Sequence, residues 1–306
     1  MEVKVDPQCI PCILAAAYRA AATVTDDRVR RLELLRVASA EVGRILNPEV
    51  TSCHLTGLVL EALSRACGVE DPYRRLKDEN NEAALRIVRD VEGLISGAET
   101  SYRRFRLAVE YSVAANAADY GVFMGGFIYR GDLEDQLRRF KGKGLALDEV
   151  DRFYGYASRG GDALYLLDNC GEMVFDTLLI RELKRLGCRV TAVVKEKPCL
   201  NDATIREALS IGLDEVADRL ISTGSGTCGL GLYDMGSELA EALKESDLII
   251  CKGQANYEDL SEIEEALNGV IVYLLVVKCE LIARELGVEG VGDSVVKCVA
   301  RGGSGA

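Results

Sequence analysis

Three short polar clusters stand at equivalent places in the second half of the chain, each just after an apolar run that reads as a strand. Asp168 and Asn169 follow Ala163 to Leu167, Asn201 and Asp202 follow Arg189 to Val194 by way of EKPCL, and Lys252, Gly253 and Asn256 follow Asp247 to Cys251. Two carboxylates and an amide oxygen make a hard, oxygen-only donor set, suited to magnesium, manganese, cobalt or nickel rather than to a tetrahedral zinc site. A lysine beside them adds a point charge for phosphate. Taken singly, Asp202 reads as a helix N-cap for DATIREAL and Asp168 as a loop acid. Three clusters in the same position point instead to one crevice. A phosphate held there by a metal, by Lys252 and by the helix amides beyond Gly171 would have its transition-state charge spread, the main requirement of phosphoryl transfer.

The elements that must position these groups follow from hydrophobic periodicity. Gly171 supplies a turn, and Val174, Leu178, Leu179, Leu183 and Leu186 recur at helical spacing behind it. From Arg159, Gly160 and Gly161 onward, strands near 163–167, 189–194, 219–222, 247–251 and 270–277 alternate with helices, the last beginning at Cys279. Such alternation builds a parallel sheet with helices on both faces, whose ligands bind outside the carboxyl ends of the strands. Residues before this point read as successive helices: one capped by Asp26, one from Thr51 or Ser52 to Gly68, one over 73–95, one over 100–120, and shorter pieces at 132–141 and 147–158. The expected fold is therefore α/β, an N-terminal all-helical domain over 1–158 followed by a doubly wound, mainly parallel α/β/α domain over 159–301 and a flexible tail over 302–306.

Composition sets the outer limits. The chain has 306 residues, 48% of them apolar, enough to bury a substantial core. A net charge of −12 repels phosphate backbones, so nucleic acid is not an expected partner. No apolar run is long enough to span a bilayer and MEVKVDPQC lacks a signal-peptide core, which makes the cytoplasm the expected location and a membrane no partner. The eleven cysteines show no disulfide-like spacing and read mostly as reduced thiols.

Other motifs are weighed against that crevice. His54 is the only histidine and lies far along the chain from the strand-end clusters, which argues against a Ser-His-Asp or Cys-His enzyme. Cys9 and Cys12 form a CxxC for which Cys53 and His54 are the nearby candidate partners in a second, structural metal site, with free thiols at a helix start as the other reading. Gly224, Gly226 and Gly229 fit a dinucleotide fingerprint, but they follow the third strand instead of the first, so a loop over the phosphate pocket is the better reading.

The blocks LDNCGEMVFDTLLI, VVKEKPCLNDAT and CKGQANYEDL resemble, in order, the signature blocks of the damage-control phosphatases, and weaker similarity extends over nearly the whole chain. The resemblance implies that Asp168, Asn169 and Asp202 are metal ligands, that Lys252 and Asn256, with Gly253 between them, line the phosphate pocket, and that Glu172 and Asp176 lie near it. ANAADYG resembles a further block and nominates Asn116 and Asp119 as substrate contacts, although Ala115 replaces the family's glycine. The standalone prokaryotic branch of this family also carries a CxxC. A helical domain paired with a three-layer α/β/α domain, and hydrolysis of small-metabolite phosphate esters, sugar phosphates or damaged phosphometabolites, with cobalt, nickel, manganese or magnesium, are what the resemblance implies.

The expected function is thus a metal-dependent phosphomonoesterase in which Asp168, Asn169, Asp202 and Lys252 carry the chemistry and a water attacks in line, or Asp168 itself attacks. Two alternatives stand beside it. An S-adenosylmethionine-dependent carboxyl methyltransferase would want a glycine-rich loop after the first strand, where DNCGE offers one glycine. A non-catalytic metal or metabolite sensor would keep the crevice without turnover. The substrate, the physiological metal and the oligomeric state are not readable from the chain.

Overall fold

A computed structural model describes residues 3–116 and 143–301. Asp119, the expected piece at 132–141, the end of the expected helix at 100–120 and the tail at 302–306 lie outside these residues. Five helices come first: α1 (Cys9–Val24), α2 (Arg28–Ile45), α3 (Ser52–Cys67), α4 (Arg74–Ser96) and α5 (Ser101–Asn116). The cap of α2 is Asp27, not Asp26: its carboxylate accepts from the Arg30 amide at 2.7 Å. The chain leaves α3 through Gly68 at φ 70°, a left-handed turn open to glycine.

The sheet is built from β1 (Leu147–Asp148), β2 (Gly161–Leu166), β3 (Cys188–Val194), β4 (Arg219–Ser222), β5 (Leu248–Lys252), β6 (Gly269–Val276) and β7 (Ser294–Arg301). Between them run α6 (Val150–Ala157), α7 (Glu172–Arg185), α8 (Ile205–Ser210), α9 (Leu213–Val216), α10 (Ser237–Glu245), α11 (Gln254–Ile263) and α12 (Glu280–Leu286). The strand order is β1-β7-β6-β5-β2-β3-β4, with β2 through β6 parallel and β7 antiparallel to β6. Two strands depart from the sequence expectation. The helix at 279 is short and returns through β7, and the piece at 147–158 splits into β1 and α6.

Strand β2 is the switch point. The chain moves from β2 through β3 to β4 on one side, then crosses back to lay β5 on the other side of β2 and β6 beyond it. Leu166 pairs with Val193 of β3 and with Cys251 of β5, so the residues leaving β2 emerge between the ends of those two strands. A crevice at that point is where open parallel sheets hold ligands.

One buried cluster joins α4, α5, α6 and α7 to one face of the sheet, through Val91, Ile95, Phe105, Phe153, Phe175 and Leu179 among others. A second joins α10, α11 and α12 to the opposite face. Only α1, α2 and α3 enclose a core of their own, and it takes in Cys199 and Cys228 from the sheet half. The core is therefore continuous across residue 158, where sequence grammar places the domain boundary: α4 and α5 are amphipathic helices whose apolar faces are filled by the buried helix α7.

Candidate active site

The loops leaving β2 and β3 are zipped together by their backbones. The Ala203 amide donates to the Asp168 carbonyl at 2.9 Å, the Cys170 amide to the Asn201 carbonyl at 2.9 Å, and Asn169 and Asp202 form an isolated antiparallel bridge. Asp168, Asn169 and Asp202 thus lie side by side although 33 positions separate Asn169 from Asp202 in the chain (202 − 169). Asp202 is not the cap of the helix behind it. Thr204 caps α8 in a reciprocal box with Glu207, which leaves Asp202 to the loop.

All three residues line a pocket of about 80 Å³. Its other walls come from Ser52, Cys53 and Thr56 of α3, Leu200 and Cys228, Gln254, Ala255 and Glu258 of α11, and Lys278 at the end of β6. Gln254 and Ala255 open α11, so the positive end of that helix faces the pocket. Gly253 just before it has φ 79°, and an added Cβ would stand 1.9 Å from Asp168 Oδ2. Glycine is required there twice over, by conformation and by the close approach of the carboxylate.

Asp168 is buried, and its Oδ2 accepts from Asn116 Nδ2 at 3.0 Å and Asn169 Nδ2 at 2.8 Å. Desolvation pushes its pKa well above the ordinary value, and the nearby Glu172 and Asp202 push it further, while Lys278 and Lys195 pull it back. A carboxylate in this position is short of positive charge. Asn116 also donates to Glu172 Oε2 at 2.8 Å and accepts from the Val276 amide at 2.9 Å, so it orients the carboxylates by bridging α5, α7 and β6.

Several residues read as pocket-lining are behind the wall instead. Lys252 is fully buried, with Nζ at 2.6 Å from Glu172 Oε1, 2.7 Å from Asp176 Oδ1 and 3.0 Å from the Ser112 carbonyl. Burial opposes its charge, but Asp176 and Glu172 more than offset this and raise its pKa. With three acceptors around three donors, Lys252 neutralises the two acids and is not among the residues that line the pocket. Asp176 Oδ1 also accepts from Ser112 Oγ at 2.6 Å and Tyr165 OH at 2.8 Å. Asn256 is likewise buried: it donates to the Leu167 and Lys252 carbonyls at 3.0 and 2.7 Å and accepts from Lys195 Nζ at 2.6 Å. It ties the ends of β2, β3 and β5 together.

Most amides around the start of α7 are already engaged. Those of Cys170, Met173 and Val174 go to backbone carbonyls, and that of Gly171 donates to Asn81 Oδ1 at 2.6 Å. Its neighbour Asn80 reaches Asn201 Oδ1 at 3.3 Å. Adjacent residues of α4 therefore brace both loops that carry Asp168, Asn169 and Asp202.

The glycine-rich loop encloses a carboxylate of the protein itself. Asp259 Oδ2 accepts from the Leu230 and Gly231 amides at 2.8 and 3.1 Å, and its Oδ1 accepts from Thr51 Oγ1 at 2.7 Å. An added Cβ at Gly229 would stand 2.5 Å from Asp259 Oδ2. The anion that this nest of amides would hold in a dinucleotide site is supplied by a side chain.

The expected second metal site does not assemble. Cys53 Sγ contacts Asp259 Oδ1 at 3.1 Å and burial raises its pKa well above the usual thiol value. His54 packs its ring on Tyr233, centroids 4.5 Å apart, and desolvation lowers its pKa. Burial likewise pushes Cys12 up to about 11, so the CxxC is held as thiols. Among the described residues no group of three or more His, Cys, Asp or Glu is placed to hold a metal. Cys199 and Cys228 form a disulfide, which joins the loop after β3 to the glycine-rich loop. Spacing in sequence gave no sign of that pair.

Sequence reasoning missed Lys278, Gln254 and Glu258. Lys278 obeys the same strand-end rule that found Asp168, and Gln254 and Glu258 share one face of α11 at a spacing of four.

A sheet of Rossmann-like order that delivers two aspartates, an asparagine and a lysine to its switch-point crevice defines an α/β protein with an oxygen-rich pocket. The chain belongs to the damage-control phosphatase ARMT1-like domain family, which it matches over residues 5–295. It is 36% identical to a damage-control phosphatase of Archaeoglobus fulgidus over 97% of this chain and 100% of that protein. It is 29% identical to a damage-control phosphatase of Pyrococcus horikoshii over 94% of this chain and 95% of the other. The crystal structure of a DUF89 family protein from Pyrococcus horikoshii superposes with a TM-score of 0.82 at 29% identity, covering 96% of this chain and 98% of that one. No helix among the described residues is long and apolar enough to cross a membrane.

Proposed function

We propose that the chain is a metal-dependent phosphomonoesterase acting on small phosphorylated metabolites. Family membership supports phosphatase activity, and the observation that carries the finer reading is the single pocket shared by Asp168, Asn169, Asp202 and Lys278. The donor set fits a divalent cation. Asn169 turns its Nδ2 toward Asp168 and Glu172, which directs the amide oxygen the other way, and Asp168 is buried beside two further carboxylates with its charge undercompensated. A hard cation offsets that charge better than the protein does.

Held by Asp168, Asn169 and Asp202, such an ion supplies charge neutralisation at the phosphoryl oxygens and activation of water. The protein's own part is binding and orientation. Lys278 and the positive end of α11 attract the phosphate, while Asn116 and the loop bridge fix the angle of the carboxylates. Leu200 and Cys228 close the pocket with apolar surface, which strengthens these interactions. The methyltransferase alternative lacks its glycine loop, because residues 168–171 are engaged by backbone bonds to 201–203 and by Asn81.

The test is phosphate release from an aryl phosphate by metal-stripped protein, with cobalt, nickel, manganese or magnesium added back separately, beside Asp168→Ala. Activity that needs metal and vanishes in the variant is expected. Metal binding without turnover on aryl, sugar and nucleotide phosphates alike would favour the sensor.

A further inference from the structure

Hydrolysis of a metabolite ester needs more than charge neutralisation, because an alkoxide is a poor leaving group and must be protonated as the bond to phosphorus breaks. The pocket contains one carboxyl group outside the proposed cation ligands, that of Glu258. It stands one helical turn after Gln254 on α11, and both side chains face the cavity.

Its position is fixed from two sides. Ser52 Oγ donates to Glu258 Oε2 at 2.7 Å, and Gln254 Nε2 donates to Oε1 at 3.1 Å. Gln254 in turn accepts from the Lys278 amide at 2.8 Å, so the carboxyl, the pocket lysine and the start of α11 form one connected frame. Resting on the phosphatase reading above, we propose that Glu258 is the acid that delivers a proton to the leaving oxygen of an alkyl phosphate ester.

The surroundings shift Glu258 toward its protonated form. Burial raises the Glu258 pKa and the adjacent Asp259 raises it further, while the bonds from Ser52, Gln254 and the Cys53 amide lower it less. Other titratable groups facing it are Cys9 and Cys12 of α1, Cys53 of α3 and Cys279 just before α12, all held as thiols by burial, and Lys278 in the same pocket. In the reaction the bond from phosphorus to the ester oxygen breaks as a bond to water oxygen forms. The Glu258 proton goes to the departing oxygen to give the alcohol, and the proton released by the attacking water returns Glu258 to its acid form through solvent.

Leaving-group dependence separates this role from a structural one. In Glu258→Gln, which keeps the shape and still accepts from Ser52, kcat on glycerol phosphate should fall about 100-fold or more, while kcat on 4-nitrophenyl phosphate, whose leaving group needs no proton, should change by less than about threefold. Equal losses on both esters, no loss on either, or weakened manganese binding by calorimetry would overturn the proposal. Should the variant fail to fold, the wild type decides: kcat should vary little with leaving-group pKa across a series of esters, and a steep decline would contradict it. Absence of turnover on every ester with all four metals would overturn the phosphatase reading and this proposal with it.

Discussion

Two layers of charge lie within one sheet's width of each other and behave in opposite ways. In the layer facing α5 and α7, Lys252, Glu172, Asp176 and Asn116 are joined by contacts of 2.6 to 2.8 Å. In the pocket layer, Asp168, Asn169, Asp202, Glu258 and Lys278 face a cavity. Both layers are buried, so burial does not distinguish a support from a site; the direction of each side chain does. Lys252 compensates the acids of the first layer, whereas Asp168 at the cavity wall has its pKa raised well above the ordinary value by burial and by neighbouring carboxylates.

That contrast breaks most sharply by substitution. Asp202→Asn should lower phosphatase activity at least about a thousandfold, about 4 kcal/mol of barrier, while the metal-free protein melts near the wild-type temperature. Lys252→Met should do the reverse in kind: removing the cation strands Glu172 and Asp176, costing about 3–5 kcal/mol of stability, which a denaturant titration would read. Lys278→Met, its counterpart in the pocket, should raise KM for a phosphate ester.

Smaller effects sharpen the picture of the frame. Reducing Cys199–Cys228, which closes a loop of sequence separation 29, should cost about 3.5 kcal/mol, seen as a lower Tm in excess dithiothreitol. Asn81→Ala strands the Gly171 amide and should cost about 1–3 kcal/mol, with weaker metal binding because the loop carrying Asp168 loosens. For pH, Asp168 and Asp176 have folded-state pKa values raised above 3.8, so each binds its proton more tightly in the native state. Their contribution is fully present below that value and is lost as pH rises through the folded pKa. The metal-free protein should therefore lose stability as pH rises from about 4, and the gain in Tm from added manganese should grow over the same range.

How much of this was legible in the chain depends on the range of the contact. Asp168, Asn169 and Asp202 could be found because a strand end is a local signal and parallel strands bring their ends together. The direction of Lys252 was open to the same local reasoning: Leu248 and Ile250 face α7, Ile249 and Cys251 face the opposite layer, and a period of two sends Lys252 toward Glu172 and Asp176. Asn81 could not have been found, since its partner is 90 residues away and nothing near it in sequence marks the pairing. Strand β7 carries the β-branched Val295, Val296 and Val299, but it returns antiparallel from a short helix, outside the alternation that organised the rest. The Cys199–Cys228 pair and the Asp259 clasp on the glycine loop exist only once the sheet has formed.

The measurement that bears most directly on the separation of site from support is a calorimetric titration of manganese into metal-stripped wild type and Asp202→Asn, with the melting temperature of each metal-free sample recorded alongside. One binding site in the wild type, its loss in the variant and matching melting temperatures are predicted. Undiminished binding in Asp202→Asn would place the ion elsewhere in the molecule and contradict the account.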